Sequence, residues 1–139
     1  MNIFTLRCIP MLLLLLAMAE LKATHIVGGE LSYECIEYIP ATDVNVFRVT
    51  MTIYRNCNNM AMDVFSNPAP IAVYRTKGYT YELVLHKDVF LQPPIVNIPI
   101  DIDNPCLMVP PNICVEKGVY HFELVLPVVE ESYYISYQR

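Results

Sequence analysis

Alternation of apolar and polar residues is the feature that most constrains how this chain can fold. Residues 47–54, 79–86 and 120–126 each alternate with a period of two, which places their apolar side chains on one face of a β-strand. In the second of these runs the residues predicted to share the apolar face are Tyr79, Tyr81, Leu83 and Leu85. No window of 11 or more residues has a convincing helical period, so the sequence predicts an all-β fold.

Four further segments are predicted strands, which brings the total to about seven. They are residues 26–38, 71–74, 95–102 and 133–138. Prolines border or separate the runs, as they do at turns and edge strands. About seven short strands over roughly 115 residues predict an antiparallel β-sandwich of immunoglobulin-like size. A glycine pair, Gly28-Gly29, opens the first strand and predicts a bulge or a close backbone approach there.

The N-terminus predicts a secretory signal peptide. A short, positively charged opening that ends at Arg7 precedes an apolar run at residues 11–19, which is shorter than the roughly 20 residues that span a bilayer. Small residues permit cleavage after Ala19 or after Ala23, and a retained membrane anchor is the alternative. We therefore assign residues 1–23 to a signal peptide and residues 24–139 to a single sandwich domain, with no membrane span after cleavage.

Four cysteines follow this leader: Cys35, Cys57, Cys106 and Cys114. In an oxidising compartment an even number predicts two disulfides, with three connectivities open. The short, proline-bent segment between Cys106 and Cys114 favours a local bridge, which leaves Cys35 to pair with Cys57 near the ends of two neighbouring predicted strands. A zinc site is the competing interpretation, but there is no C-x-x-C pair and the three histidines are scattered.

Charge and motif content argue against nucleic-acid binding and catalysis. A net charge of −5 offers no basic field to neutralise phosphates. No serine lies in a G-x-S-x-G motif, and the strand pattern turns His86 and His121 towards the polar face. The adjacent carboxylates Glu130 and Glu131 are interpreted as a solvated cluster in a turn. We predict a protein that is not an enzyme and needs no cofactor.

One weak metal candidate is a D-x-D-N segment. Asp101, Asp103 and Asn104 offer oxygen ligands that would suit calcium between sandwich loops. The segment lacks the glycine and the distal glutamate of an EF-hand loop. A turn that ends a strand before Pro105 is therefore the preferred interpretation, and we predict no metal site.

Tyrosines in the last predicted strand form the candidate contact surface. Alternation places Tyr133, Ile135 and Tyr137 on one face and Tyr134 on the other. The favoured interpretation is that the odd-numbered face belongs to the core and that Tyr134 packs across strands. The alternative is a surface for protein or glycan contacts, since tyrosine combines a large apolar body with a polar tip. A final strand is also an exposed edge, which predicts self-association through that edge.

Four segments together carry a resemblance to a known family. They are residues 23–33 (ATHIVGGELSY), residues 53–57 (IYRNC), residues 114–120 (CVEKGVY) and residues 133–139 (YYISYQR). In this order and spacing they resemble the N-terminal domain of large secreted surface proteins of Bacteroidetes, described as gliding-motility-associated or adhesin-like. The resemblance implies that further β-sandwich modules follow this domain and that a sorting domain directs export through the type IX secretion system. The stop at Arg139 then indicates a truncated member.

The functional expectation follows from that resemblance. We expect a non-catalytic structural or adhesive module of an exported cell-surface protein, whose partners are downstream modules of a longer chain or other surface proteins and glycans. The alternative is a free-standing periplasmic domain that binds a glycan or a peptide. Location at the cell surface or outside the cell is expected for a longer chain, and a periplasmic location is expected if the chain ends at Arg139.

Overall fold

Seven β-strands make up most of the described part of the protein. The computed structural model describes residues 26–58, 65–99 and 112–138. The strands are β1 (Ile26–Ile39), β2 (Val44–Asn56), β3 (Ala69–Lys77), β4 (Thr80–Val89), β5 (Leu91–Asn97), β6 (Val115–Pro127) and β7 (Tyr133–Tyr137). Every strand predicted from the sequence has a counterpart, with bounds that differ by a few residues, and residues 100–102 of the predicted strand 95–102 lie outside the described ranges. Within the described ranges there is no helix, and so none that could cross a membrane.

The strands form two antiparallel sheets that pack as a sandwich. A four-stranded sheet has the order β1-β2-β6-β5, and a three-stranded sheet has the order β4-β3-β7. The ladder between β2 and β6 is the longest regular one, running without a shift from Val44 opposite Pro127 to Asn56 opposite Val115. The prediction of an all-β antiparallel sandwich is confirmed. Its immunoglobulin-like part is not confirmed, because the smaller sheet has the order β4-β3-β7, whereas the constant-type arrangement has C, F and G in that sheet.

The core lies between the inner faces of the two sheets. In β6 the burial pattern alternates along the strand, and every second residue from Tyr120 to Leu126 is buried, as the alternation predicts. Residues of the central strand β2 meet them from the same sheet, and residues of β3 and β4 close the core from the other sheet. The buried cluster consists of Val49, Met51, Ile53, Phe65, Ala69, Ile71, Val73, Val89, Tyr120, Phe122, Leu124 and Leu126.

The predicted single apolar face of β4 is wrong. Leu85 packs against the core, but Tyr81 and Leu83 are 63% and 55% exposed. The reason is a β-bulge: Val73 lies opposite Leu85 whereas Tyr74 lies opposite Leu83, so Val84 is an extra residue with no partner in β3. One extra residue inverts the facing of every side chain beyond it.

The predicted disulfide pairing is also wrong. The bridge joins Cys57 to Cys114, with their Cα atoms 5.2 Å apart, and not Cys106 to Cys114 or Cys35 to Cys57. Cys57 directly follows β2 and Cys114 directly precedes β6, so the bridge extends the ladder between these two strands, and the Cys57 amide also donates to the Cys114 carbonyl at 3.0 Å. Cys35 lies near the opposite end of β2, across from Phe47, and is exposed and free of any bridge to a described cysteine.

Other predicted features fall as follows. A register shift between Ile26 and Gly28 is the bulge expected at the glycine pair. The calcium candidates Asp101, Asp103 and Asn104 lie outside the described residues, as do Cys106 and the predicted signal peptide.

Candidate contact surface

The outer face of the three-stranded sheet carries four large side chains, of which one is half-buried and three are exposed. Tyr74 of β3 lies directly opposite Leu83 of β4 on one side and Tyr134 of β7 on the other. Directly opposite residues in a sheet share a face, so these three side chains form one row across the sheet. Tyr81 lies next to this row, two residues before Leu83. We call Tyr74, Tyr81, Leu83 and Tyr134 the aromatic face.

Two of its tyrosines are in direct ring contact. The ring centroids of Tyr81 and Tyr134 are 5.2 Å apart with an interplanar angle of 87°, which is an edge-to-face pair. Such pairs contribute about 0.5–1.5 kcal/mol beyond the area that they bury. Tyr134 is nevertheless 47% exposed. The contact therefore orders the rings while leaving much of their surface open to a partner.

The bulge at Val84 is what creates this face. Without the extra residue, Tyr81 and Leu83 would point to the same side as Leu85, which is towards the core. With it, their side chains point outward beside Tyr74 and Tyr134. The period-two interpretation missed Tyr81, Leu83 and Tyr74 as surface candidates. The signal that could have revealed them is the run Leu83-Val84-Leu85, because three consecutive apolar residues break the alternation.

The structure separates the three predicted contact tyrosines. Tyr134 belongs to the aromatic face, whereas Tyr133 and Tyr137 pack against the core, as the favoured alternation predicts. Their phenols are held by hydrogen bonds: Tyr133 Oη donates to the Pro127 carbonyl at 2.9 Å, and Tyr137 Oη donates to Ser66 Oγ at 2.9 Å. Partial burial raises the pKa of the Tyr133 phenol, with Glu131 adding to the rise and Arg75 opposing it. Of the three, Tyr134 is the one that offers its ring to solvent.

Two other tyrosines, Tyr38 and Tyr54, donate hydrogen bonds to nearby carboxylates. Tyr38 Oη donates to Asp43 Oδ1 at 2.9 Å, and Tyr54 Oη donates to Glu30 Oε1 at 3.0 Å. Each carboxylate bond raises the pKa of its phenol. These contacts tie down the β1–β2 pair and lie away from the aromatic face.

An apolar groove opens on the side of the sandwich where β1 and β7 are the edge strands. Its volume is about 400 Å³. Residues of both sheets line it: Leu31, Tyr33, Phe47, Leu126, Ser132, Tyr133 and Ile135. Leu31 and Tyr33 lie opposite Met51 and Val49, so they face inward, yet they are 37% and 69% exposed. They are exposed because, in the part of the chain that the structure describes, the smaller sheet has no strand beneath β1.

Charged groups cluster at the hairpin end of the three-stranded sheet. Arg75 Nη2 lies 3.0 Å from Glu82 Oε2, and Lys77 Nζ lies 3.7 Å from the same oxygen. The hydrogen bond from Arg75 lowers the pKa of the Glu82 carboxyl, and Lys77 lowers it further. The same hydrogen bond raises the pKa of Arg75. Arg75 and Glu82 lie next to Tyr74 and Tyr81 along their strands, so this cluster is on the opposite side of the sheet from the aromatic face.

The outer face of the larger sheet differs in character. Arg48 lies 4.0 Å from Glu34 and 3.9 Å from Glu123, with all three side chains largely exposed. His121, predicted on the polar face, is exposed there and bonds through Nδ1 to Thr50 Oγ1 at 3.0 Å. No group of three or more potential metal ligands occurs in the parts of the chain that the structure describes. The outer face of the larger sheet thus carries these ion pairs and polar contacts, whereas the outer face of the smaller sheet carries the aromatic face.

Comparison with known proteins adds no relative to this picture. No protein-family model, no curated protein and no solved structure matches the chain.

Proposed function

We propose that this protein is a non-catalytic structural and adhesive module of an exported cell-surface protein. The observation that carries the proposal is the aromatic face, which presents two paired tyrosines on a rigid sheet. Tyrosine loses little conformational entropy on binding and offers both an apolar ring and a polar tip, which suits protein contacts. We propose accordingly that the partner is another protein at the cell surface.

Export is supported by the cysteine chemistry. The Cys57–Cys114 bridge crosslinks two central strands, and structural disulfides persist in oxidising compartments. The apolar leader predicted at residues 1–23 gives the route. We also propose kinship with the N-terminal domains of large Bacteroidetes surface proteins, on the strength of residues 23–33 and 133–139.

An adhesion assay with surface variants tests the contact role. Beads coated with the protein are counted on intact cells of the source organism, and the double variant Tyr81→Ser/Tyr134→Ser is compared with the unaltered chain. We expect the double variant to lose most of the adhesion because it removes both paired rings. Tyr79→Ser is the matched control, since Tyr79 is fully exposed in the neighbouring hairpin turn and lies outside the aromatic face. Equal adhesion by all three proteins would contradict the proposal.

Glycan binding is the second candidate, because exposed tyrosine rings also stack on sugars. Pretreatment of the target cells separates the two. Loss of bead adhesion after brief proteolysis of the cells supports a protein partner. Retention after proteolysis, with loss after periodate oxidation of surface sugars, would replace the protein partner by a glycan.

Location is tested independently by fractionation. Cells are treated with a membrane-impermeant maleimide, fractionated and blotted with an antibody against the sandwich domain. We expect the protein in the envelope or surface fraction with Cys57 and Cys114 oxidised. A cytoplasmic protein with reduced cysteines would refute the export part of the proposal.

A further inference from the structure

We propose that the free edge of β7, together with the apolar groove beside it, binds an extended peptide strand of another polypeptide as an eighth strand of the sandwich. The occupant we infer has apolar side chains at alternate positions along its length. Its only charged side chain is a basic residue at the C-terminal end. This binding mode does not depend on the export of the protein or on the aromatic face.

The backbone of β7 offers a row of hydrogen-bonding groups to such a strand. β7 pairs with β3 on one side, and no other described strand lies on its opposite side. Thr76 N–H donates to the Ser132 carbonyl and Gln138 N–H donates to the Pro70 carbonyl, so the even-numbered residues of β7 are the ones bonded to β3. By the alternation of antiparallel ladders, the N–H and C=O groups of Tyr133, Ile135 and Tyr137 therefore point to the open edge.

The groove gives the added strand somewhere to bury its side chains. On one wall stand Tyr133 and Ile135 of β7, and on the facing wall stand Leu31 and Tyr33 of β1. The two sheets do not match in width, because four strands face three and no described strand of the smaller sheet lies beneath β1. A strand beside β7 would lie beneath β1, and its inward side chains would meet the exposed inner surface of Leu31 and Tyr33.

The order of the strands also points to the free edge of β7 as the place of an added strand, and this comparison assumes no evolutionary relationship. The order β1-β2-β6-β5 matches A-B-E-D of the constant-type immunoglobulin arrangement, in which case β3 and β7 take the places of C and F. That arrangement has a further strand, G, on the free side of F. Here no described residue occupies this place, and β4 lies instead on the far side of β3.

The size of the edge argues against a second folded copy as the occupant. β7 has five residues, whereas a stable interface between two folded proteins uses about 20–30 residues a side. A folded copy that paired through its own β7 would also bring the sheet that covers that strand into the space beneath β1. A single extended segment without its own covering sheet meets neither obstacle.

Charge determines the composition and the direction of the segment. None of the described residues that line the groove is acidic or basic, so inward positions of the occupant are apolar. Exposed Glu130 and Glu131 directly precede Ser132, which lines one end of the groove. A strand antiparallel to β7 ends at that side, which is why a basic residue is expected at its C-terminal end.

A synthetic peptide tests the proposal directly. The probe is a capped seven-residue peptide with valine at alternate positions, threonine between them and lysine at the C-terminal end. Binding is measured by calorimetry, with a dissociation constant expected in about the micromolar to millimolar range. Amide exchange followed by NMR should slow at Tyr133, Ile135 and Tyr137, while Tyr134 and Ser136, already bonded to β3, should be unchanged.

Control peptides and paired variants make the result specific. Methylation of the peptide nitrogens that face β7 should abolish binding, because it removes the donors of the new ladder. Leu31→Glu, which places a charge in the groove wall, should weaken binding by about tenfold or more. Ser32→Glu adds the same charge to the opposite face of β1 and should bind within about twofold of the unaltered chain.

The opposing outcomes are equally definite. Binding that is absent at millimolar peptide, or that survives both nitrogen methylation and Leu31→Glu, would overturn the proposal. Slow exchange at the three odd-numbered amides without peptide, increasing with protein concentration, would identify a second copy as the occupant and also overturn it.

Discussion

Gly118 in β6 is the residue at which the core leaves least room for a side chain. A Cβ atom there would lie 2.9 Å from Leu91 Cδ1 and 2.9 Å from two carbons of the Phe65 ring, which is 4% exposed. Gly118→Ala therefore requires the ring to move inside a packed core. We expect the free energy of unfolding to fall by about 1–3 kcal/mol, measured by urea denaturation.

Gly28→Ala is the matched control for that substitution. Its added Cβ would lie 3.9 Å from the nearest atom, Tyr54 Cδ2, which is ordinary contact. We expect stability to stay the same or to rise slightly, because alanine restricts the unfolded chain. If both variants lost the same free energy, close approach at Gly118 would not be the cause.

At the scale of elements, the β3–β4 hairpin depends on the backbone of Gly78. Lys77 lies opposite Thr80, so the loop has two residues, and Gly78 adopts a φ of 62°. A Cβ at Gly78 would have nothing within 4 Å, so steric contact adds no cost. We expect Gly78→Ala to lower the free energy of unfolding by about 1 kcal/mol through backbone strain alone.

Two further substitutions separate strain from simple loss of glycine. Gly78→Asn should cost less than Gly78→Ala, because asparagine tolerates positive φ. Tyr79→Ala, at the other loop position, should leave the melting temperature unchanged because the side chain is fully exposed. Equal costs for alanine and asparagine at Gly78 would contradict the strain explanation.

Elements of this protein could be predicted from sequence to the extent that they obey a regular period. β2 and β6 alternate over residues 47–54 and 120–126, and the inward rows of these two stretches agree with the prediction. β4 was placed correctly but assigned the wrong outer face, because a bulge at Val84 is decided by its pairing with β3. Strand partners are a tertiary property that alternation does not encode.

The cysteine pairing shows the same limit. Cys57 and Cys114 are 57 residues apart and meet because β2 and β6 are neighbours in the sheet. The prediction relied on short separations along the sequence and therefore favoured other pairs. Such separations do not show which strands are neighbours in the sheet. The aromatic face was not predicted as a whole for the same reason, because only the sheet order brings its residues of β3, β4 and β7 together.

For the whole molecule, the disulfide is expected to contribute a large stabilisation. Closing a loop of this length lowers the entropy of the unfolded chain by an amount worth about 4 kcal/mol. We expect Cys57→Ala/Cys114→Ala to lose a comparable free energy of unfolding, measured in urea without reductant.

Cys35→Ser is the control for this pair, and it should unfold like the unaltered protein because Cys35 is exposed and free among the described cysteines. A maleimide should label Cys35 in the native protein without reductant, and Cys57 and Cys114 only after reduction. Unchanged stability of the double variant, or a Cys35 that requires reduction before labelling, would refute this assignment.

Acid sensitivity of the molecule should include a contribution from Glu82. Its pKa is lowered in the folded state below the ordinary value of 4.5, chiefly by the hydrogen bond from Arg75. The stabilisation is therefore complete above that value and is lost as the pH falls through the lower, folded pKa. We expect Glu82→Gln to flatten the acid side of the plot of melting temperature against pH.

Glu37→Gln supplies the comparison for this measurement, since it removes an exposed carboxylate from β1. Its melting temperature is measured over the same pH range as that of Glu82→Gln. An unchanged acid side for Glu82→Gln would mean that the contact with Arg75 does not persist in solution.

The Cys57–Cys114 bridge limits the length to which the domain can be extended by a pulling force. The bridge shuts the residues between the two cysteines into a covalent loop that cannot lengthen, and that loop contains all of β3, β4 and β5. Pulled from Ile26 and Gln138, the oxidised domain can release only about 55 residues, roughly 190 Å of chain, against roughly 390 Å once reduced. The redox state of the bridge therefore sets how far the domain can extend under load, because the closed loop prevents three of its seven described strands from adding to the extended length.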